Sequence, residues 1–309
     1  MSAIYTVTFA PSLDSATGTE QIYPEGKLRC STPVFEPGGG GINVARAIVH
    51  LQGKATAIFP QGGATGQHLA DLLQAEQVMI DPVMAHDWTR QNLHVHVHST
   101  GEQYRFVMPG AALREDEVHA LEAKALAIPA GSLLIISGSL PPGVSMTRFT
   151  HFLRQAQAAG LRCVVDTSAD ALEAALSVGD LALVKPNQKE LSALVKRPLT
   201  APDDVRNAAI ELVKRGAAKY VVVSLGPQGA LGTDGDQTVQ VVPPPIKSQS
   251  TVGAGDSMVG AMVLKLAAGA SLTEMVRYGV AAGSAATINA GTRLCARDET
   301  NTIYQYLSR

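Results

Sequence analysis

From residue 131 onward the chain repeats one rhythm. Short β-rich runs ("SLLIISGS", "LRCVVDTS", "LALVKPN", "KYVVVSLG") alternate with helical stretches at 147–160, 203–216 and 257–268. Runs that stay apolar belong to strands covered on both faces, and helices placed between them connect such strands in parallel. An α/β fold is therefore expected, with a parallel sheet flanked by helices. A polar residue follows each run: Ser137 and Ser139, then Asp166, then Lys185 and Asn187, then Ser224. In an open α/β sheet the carboxyl ends of the strands line the ligand crevice, so these are candidate site positions. Each of them alone could equally cap a helix or a turn.

The first third reads differently. "IYPEGKLRCSTPVFEPG" and "TRQNLHVHVHSTGEQYRFVMPG" look extended, the second as a hairpin turning near "STGEQ", and together they predict a small β lid beside the main sheet. Within it His94, His96 and His98 share a strand face by their period of two. Without a Cys or carboxylate set nearby, a packing face accounts for them better than a metal site.

Composition excludes several classes of function. The 309 residues are 46% hydrophobic, enough for a large core, and the formal net charge of -2 offers no global basic field for nucleic acid or anionic membrane. Small-molecule partners are expected. No apolar run reaches the ~18–20 residues of a membrane span, and "MSAIYTVTFAPSLD" lacks a basic start with a long apolar stretch, so the expected location is cytoplasmic. Cys30, Cys163 and Cys295 are an odd, widely spaced set that suits reduced thiols.

The stretch "TVGAGDSMVGA" (251–261) sets small residues and a carboxylate before an apolar helical pattern. With a helix starting near Asp256, the amides of Gly253, Ala254 and Gly255 can converge on one point, where unpaired N–H groups and the helix dipole favour an anion such as phosphate. A glycine turn merely capped by Asp256 is the plainer alternative. The chain has no G-x-x-x-x-G-K-[ST], which excludes a P-loop. Nor does it have a dinucleotide fingerprint: the third glycine would fall at Met258 in one stretch and at Asn43 in the other.

Four motifs in order, "PGGGGINVARA" (37–47), "KPNQKEL" (185–191), "SLGPQGA" (224–230) and "STVGAGDSMVGA" (250–261), resemble the ribokinase, or PfkB, sugar kinase family over essentially the whole chain. The resemblance implies one ribokinase-like kinase domain over 1–309, with lid segments at about 15–36 and 88–109. It implies Asp256 as catalytic base, with Gly253, Ala254 and Gly255 forming the anion hole. On the acceptor side it implies sugar binding by Asp14, Gly39 and Asn43. Lys27, Arg29, Arg90, Arg105 and Ser139 would hold a sugar phosphate, Arg29 reaching in from a partner subunit. Arginine suits that task through bidentate contacts.

For the nucleotide, the resemblance implies Lys185 and Asn187 beside the ATP phosphates, and the Ser224, Gly226 and Gly229 loop close to ATP. Ser248, Gly283 and Ser284 would border the adenine and ribose. Asn187 and Glu190 would hold Mg2+ largely through water, and Ser250, Val252, Ala286, Asn289 and Gly291 would hold K+. Family members often carry Asp where this chain has Ser250, which weakens the cation anchor. The resemblance further implies a homodimer built on the lid, and inhibition by a second MgATP near Tyr23 and Lys27. The reaction it implies is ATP-dependent phosphorylation of fructose 6-phosphate at the 1-hydroxyl, a step of glycolysis. The alternatives are a tagatose-6-phosphate kinase and a 1-phosphofructokinase.

Overall fold

The strand Leu133–Ser137 is buried along its whole length, and its side chains alternate between two separate cores. Leu133 and Ile135 join one, Leu134 and Ile136 the other. That division is what a central parallel strand requires when helices cover both faces of its sheet. The computed structural model describes residues 2–289, 291 and 293–309.

In chain order the strands are β1 (Ile4–Val7), β2 (Ser12–Thr19), β3 (Val34–Gly38), β4 (Thr56–Ile58), β5 (Pro60–Gly62), β6 (Met79–Ile80), β7 (Val83–Ala85), β8 (Arg90–Val97), β9 (Gln103–Phe106), β10 (Leu133–Ser137), β11 (Arg162–Asp166), β12 (Leu181–Val184), β13 (Ala218–Ser224), β14 (Ala230–Thr233) and β15 (Thr238–Val241). The helices are α1 (Gly40–His50), α2 (Gly63–Ala75), α3 (Glu115–Leu126), α4 (Met146–Ala158), α5 (Ala169–Val178), α6 (Gln188–Leu194), α7 (Pro202–Lys214), α8 (Ala254–Ala267), α9 (Leu272–Thr287) and α10 (Arg297–Leu307).

Among the described residues, nine strands form one sheet in the order β15-β14-β13-β12-β11-β10-β1-β4-β6. It is parallel from β6 to β13 and antiparallel only at the β13–β14–β15 edge. One core packs α3, α4, α5 and α7 on one face, and the other packs α1, α2, α8 and α9 on the opposite face. The predicted α/β class and flanked parallel sheet are thus present.

A separate four-stranded sheet, ordered β3-β2-β8-β9, draws its strands from both lid segments. β2 and β8 pair in parallel with Asp14 opposite Asn92, and β8 turns back into β9 with His94 opposite Arg105. Residues 20–33 depart from the extended expectation. A turn occupies 24–26, Glu25 takes φ 59°, and the segment is tied to β2 by the Thr19–Cys30 bridge and the Ser31 N–H bond to the Gly18 carbonyl at 2.9 Å. Pro24 has no N–H to give a ladder, and Tyr23 lies so close over Gly26 that a side chain there would collide with its ring.

Candidate active site

The carboxyl ends of β10 to β13 carry Ser137, Asp166, the Lys185–Asn187 segment and Ser224 along one edge of the sheet. Helix α8 begins there. Gly253 takes φ 72° and ψ -2°, a left-handed conformation that a glycine adopts without strain, and the helix starts at Ala254, two residues earlier than expected. The first intrahelical bond runs from the Ser257 N–H to the Gly253 carbonyl at 2.8 Å. The amides of Ala254, Gly255 and Asp256 precede it and stand at the positive end of the helix dipole. Asp256 does not cap this helix. Its Oδ2 instead accepts from Asn43 Nδ2 at 2.9 Å.

The charge around this turn is arranged by burial. Lys185 Nζ lies 3.5 Å from where a Cβ on Gly255 would stand, which places its ammonium beside the glycine turn. Nζ also lies 3.2 Å from Asp166 Oδ1, with both side chains largely buried. Burial alone would drive the proton off Lys185; the carboxylate of Asp166 outweighs it and raises the lysine above its usual range. Asp256 is pushed up to about 6, by burial first and by the Asp166 charge second, against the Asn43 hydrogen bond and the charges of Lys185 and Arg46. A carboxylate poised there takes a proton more readily than an ordinary aspartate and is still ionised at neutral pH.

The residues expected on the acceptor side are held by the small sheet and α1. Asp14 Oδ1 accepts from Ser12 Oγ at 2.7 Å and Asn92 Nδ2 at 2.8 Å, so two donors fix the carboxylate in place. Gly39 precedes α1 with φ 111°, and a Cβ there would press on Thr8 and the Pro11 backbone. Asn43 follows in the first turn of α1, its N–H bonded to the Gly39 carbonyl at 2.8 Å. Arg90 opens β8 and donates from Nη1 to the Met108 carbonyl and from Nη2 to the Ala10 carbonyl, leaving its buried Nε without a partner.

Asn187 and Glu190, expected beside the nucleotide, take up the capping role that was the plainer alternative for Asn187. Asn187 Oδ1 accepts the Glu190 N–H at 2.9 Å, and Glu190 Oε2 accepts the Asn187 N–H at 2.8 Å, closing a capping box on α6. Asn187 also bridges to Ser224. Gly226 and Gly229 sit at φ 59° and 82°, and a Cβ on Gly229 would strike the Val241 carbonyl, so the turn requires these glycines whatever it binds. Gly283 lies on α9 against the Ala254 carbonyl, and Ser284 follows it.

Two distant segments meet beside that helix start. Gln249 and Ser250 donate their N–H groups to the Thr287 carbonyl at 2.8 and 3.4 Å, and Ser250 Oγ accepts the Val252 N–H at 3.2 Å. Ser248 Oγ reaches the Ser250 carbonyl at 3.4 Å. The Asn289 N–H bonds the Ala286 carbonyl at 3.2 Å, and Gly291 follows at φ 75°. These bonds tie the 248–252 segment to the end of α9. Val252 and Gly291 face Thr17, His94 and His96 of the small sheet across a cavity of about 320 Å³.

Other expected residues are not gathered. Lys27, Arg29 and Tyr23 lie exposed on the 20–33 segment, where Tyr23 Oη donates to the Lys27 carbonyl at 3.1 Å. Arg105 and Ser139 are also exposed, and neither makes a side-chain hydrogen bond or ion pair to the other site residues. Among the described residues no group of three His, Cys, Asp or Glu side chains is placed to hold a metal, and the strand histidines belong to none. Sequence reading missed Ser12 and Asn92. Asn92 carried a usable signal, since it shares a β8 face with Arg90 and His94 by period two.

Free amides at a left-handed glycine turn, a buried ammonium beside it and a poised carboxylate define a phosphoryl-transferring kinase of the α/β class. The chain belongs to the PfkB family: the model for "pfkB family carbohydrate kinase" matches residues 8–299. Over all 309 residues it is 70% identical to the ATP-dependent 6-phosphofructokinase isozyme 2 of Escherichia coli (strain K12), with 100% of both chains covered. The crystal structure of phosphofructokinase-2 from E. coli in complex with potassium superimposes with a TM-score of 0.98 at 70% identity, covering 100% of both chains. Its complex with fructose-6-phosphate gives 0.96 at 68% identity, with the same coverage.

Proposed function

We propose that this chain transfers the γ-phosphoryl group of ATP to the 1-hydroxyl of fructose 6-phosphate, giving fructose 1,6-bisphosphate and ADP. The observation that carries the reading is the 2.9 Å bond between Asn43, on the sugar-side helix, and Asp256, at the anion-binding turn. The relative with the highest identity given above is a 6-phosphofructokinase, and its structure has been solved with fructose-6-phosphate. Asp256 takes the proton of the attacking hydroxyl, whose oxygen bonds to phosphorus as the bond to the ADP oxygen breaks. The amides of Gly253, Ala254 and Gly255, joined by that of Asp256, and the Lys185 ammonium stabilise the phosphoryl oxygens in flight.

Asp14, Gly39 and Asn43 bind the sugar in this reading, and Arg90, Arg105, Lys27, Arg29 and Ser139 bind its phosphate once the lid is closed over it. Lys185, Asn187, Ser224, Gly226, Gly229, Ser248, Gly283 and Ser284 flank ATP. Glu190, whose cap engages Oε2, and Asn187 form a hard-oxygen donor set that fits Mg2+ through water; there the ion would neutralise phosphate charge. The buried Ser250 and the carbonyl groups around Val252, Ala286, Asn289 and Gly291 fit K+.

The whole chain is read as one kinase domain with its lid in segments 15–36 and 88–109, acting in the cytoplasm. The lid exposes Val34 (61%), Phe106 (47%) and Val107 (63%), an apolar surface that a second copy would cover in a homodimer. Tyr23 and Lys27, on the lid's edge, are the place for an inhibitory second MgATP.

A coupled ADP-release assay with MgATP tests the assignment, comparing fructose 6-phosphate, tagatose 6-phosphate, fructose 1-phosphate and fructose at matched concentrations. The highest kcat/KM is expected for fructose 6-phosphate. Preference for another sugar phosphate reassigns the substrate within the family, and no ADP release with any of them overturns the reading.

A further inference from the structure

Asn43, Arg46 and His50 fall at i, i+3 and i+7 on α1 and share one face of that helix. Arg46 is 3% exposed, and every donor bond it makes is directed. Its Nε and Nη2 donate to Glu76 Oε2 and Oε1 at 2.8 and 2.7 Å, a bidentate pair with the residue that ends α2. Its Nη1 donates to the Pro37 carbonyl at 2.8 Å and reaches Asn43 Oδ1 at 3.4 Å. His50 Nε2 lies 3.2 Å from Glu76 Oε2, with its other ring nitrogen 3.2 Å from the Cys295 carbonyl. The Cys295 N–H returns to Ser257 Oγ at 3.2 Å, next to Asp256 in the chain.

The chemistry of this chain of contacts is directional. A guanidinium has donors only, and an ionised carboxylate has acceptors only. Asn43 lies between one of each, so a single orientation of its carboxamide satisfies both neighbours: oxygen toward Arg46, nitrogen toward Asp256. Turned over, it would set N–H against N–H and oxygen against carboxylate. The Pro37 contact ties the same guanidinium to the end of β3, which leads through Gly39 into α1.

We propose that Arg46, clamped by Glu76, is a positioning residue that holds the Asn43 carboxamide in the orientation that aims the Asp256 carboxylate. The proposal rests on the reading of Asp256 as base, and the two fail differently. If Asp256→Asn keeps full turnover, that reading falls. If Asp256→Asn is inactive while Arg46 variants turn over normally, only the positioning role falls.

A double-mutant cycle on kcat tests it, with Arg46→Lys measured in the native background and in Asn43→Ala. Arg46→Lys keeps the charge but lacks the planar fork. It is expected to lower kcat about ten- to a hundredfold, the scale of a small misplacement, while KM for MgATP stays within about twofold. In the Asn43→Ala background the same substitution is expected to change kcat less than about twofold, because the group it acts through is gone. An equal fold loss in both backgrounds, or an unchanged kcat in the native one, overturns the proposal. Should Arg46→Lys fail to fold, Glu76→Gln, which loosens the clamp and leaves the arginine in place, carries the same cycle with the same criteria.

Discussion

Asn43 and Asp256 stand 213 residues apart in the chain and meet at 2.9 Å, each in the first turn of its own helix. The starts of α1 and α8 are joined by this hydrogen bond, so the proposed sugar-side and phosphoryl-side residues are already coupled in the fold.

Removing the base while keeping the shape should separate chemistry from binding. Asp256→Asn is expected to retain affinity for ATP and sugar phosphate within a few-fold and to lose about 10²–10⁴ in kcat. Isothermal titration and steady-state kinetics check both halves. Unchanged turnover would remove Asp256 from the mechanism.

The pH dependence follows from the same carboxylate. With Asp256 at about 6, the base is ionised above that pH, and kcat/KM should fall about tenfold per unit below it. Asn43 holds Asp256 down through its hydrogen bond, so Asn43→Ala should move the limb to higher pH. A limb that stays where it is in that variant would belong to the titration of the substrate phosphate instead.

The capping box at Asn187 can be separated from any role in metal binding. Asn187→Ala removes the cap of α6 and should cost about 1 kcal/mol, whereas Asn187→Ser, another good cap, should restore most of that stability. If Asn187 also serves Mg2+, Asn187→Ser remains stable but needs more Mg2+ for half-maximal activity. Denaturant unfolding and Mg2+ titrations of kcat distinguish the outcomes, and full recovery of both by serine would leave capping as its whole role.

Glu76 should make stability acid-sensitive. Burial favours its neutral form, but hydrogen bonds from His50 and Arg46 prevail and hold it at about 2, below its ordinary 4.5. A depressed carboxyl stabilises the fold above its unfolded value, so the contribution is complete above about pH 4.5 and is lost as pH falls toward 2. It is at most about 3 kcal/mol, and about half that once solvent screening of a side chain 27% exposed is counted. The stability difference between the native chain and Glu76→Gln, from urea unfolding, should shrink between pH 5 and pH 3. A constant difference would show that the ionised carboxylate contributes nothing.

Much of this was legible in the sequence because it is local. The uninterrupted apolar runs at 133–136 and 163–165 specify strands buried on both faces, and the polar residues behind them specify where the crevice opens. The glycines at 253 and 255 announced a left-handed helix start with bare amides, since both are properties of a few adjacent residues. The same locality misled at 20–33, where residues that looked extended fold into an exposed turn under Tyr23.

Only the tertiary structure decided which of these pieces meet. No periodicity relates Asn43 to Asp256, or Arg46 to Glu76, or Lys185 to Gly255; those encounters depend on how α1, α2, β12 and α8 pack around one sheet. Asp256 could have capped its own helix, and Asn187 could have pointed freely at a ligand. Which one became a cap depended on where the nearest donor stood. Secondary structure follows from neighbours in sequence, whereas a hydrogen bond or an ion pair follows from neighbours in space, and the sheet supplied those.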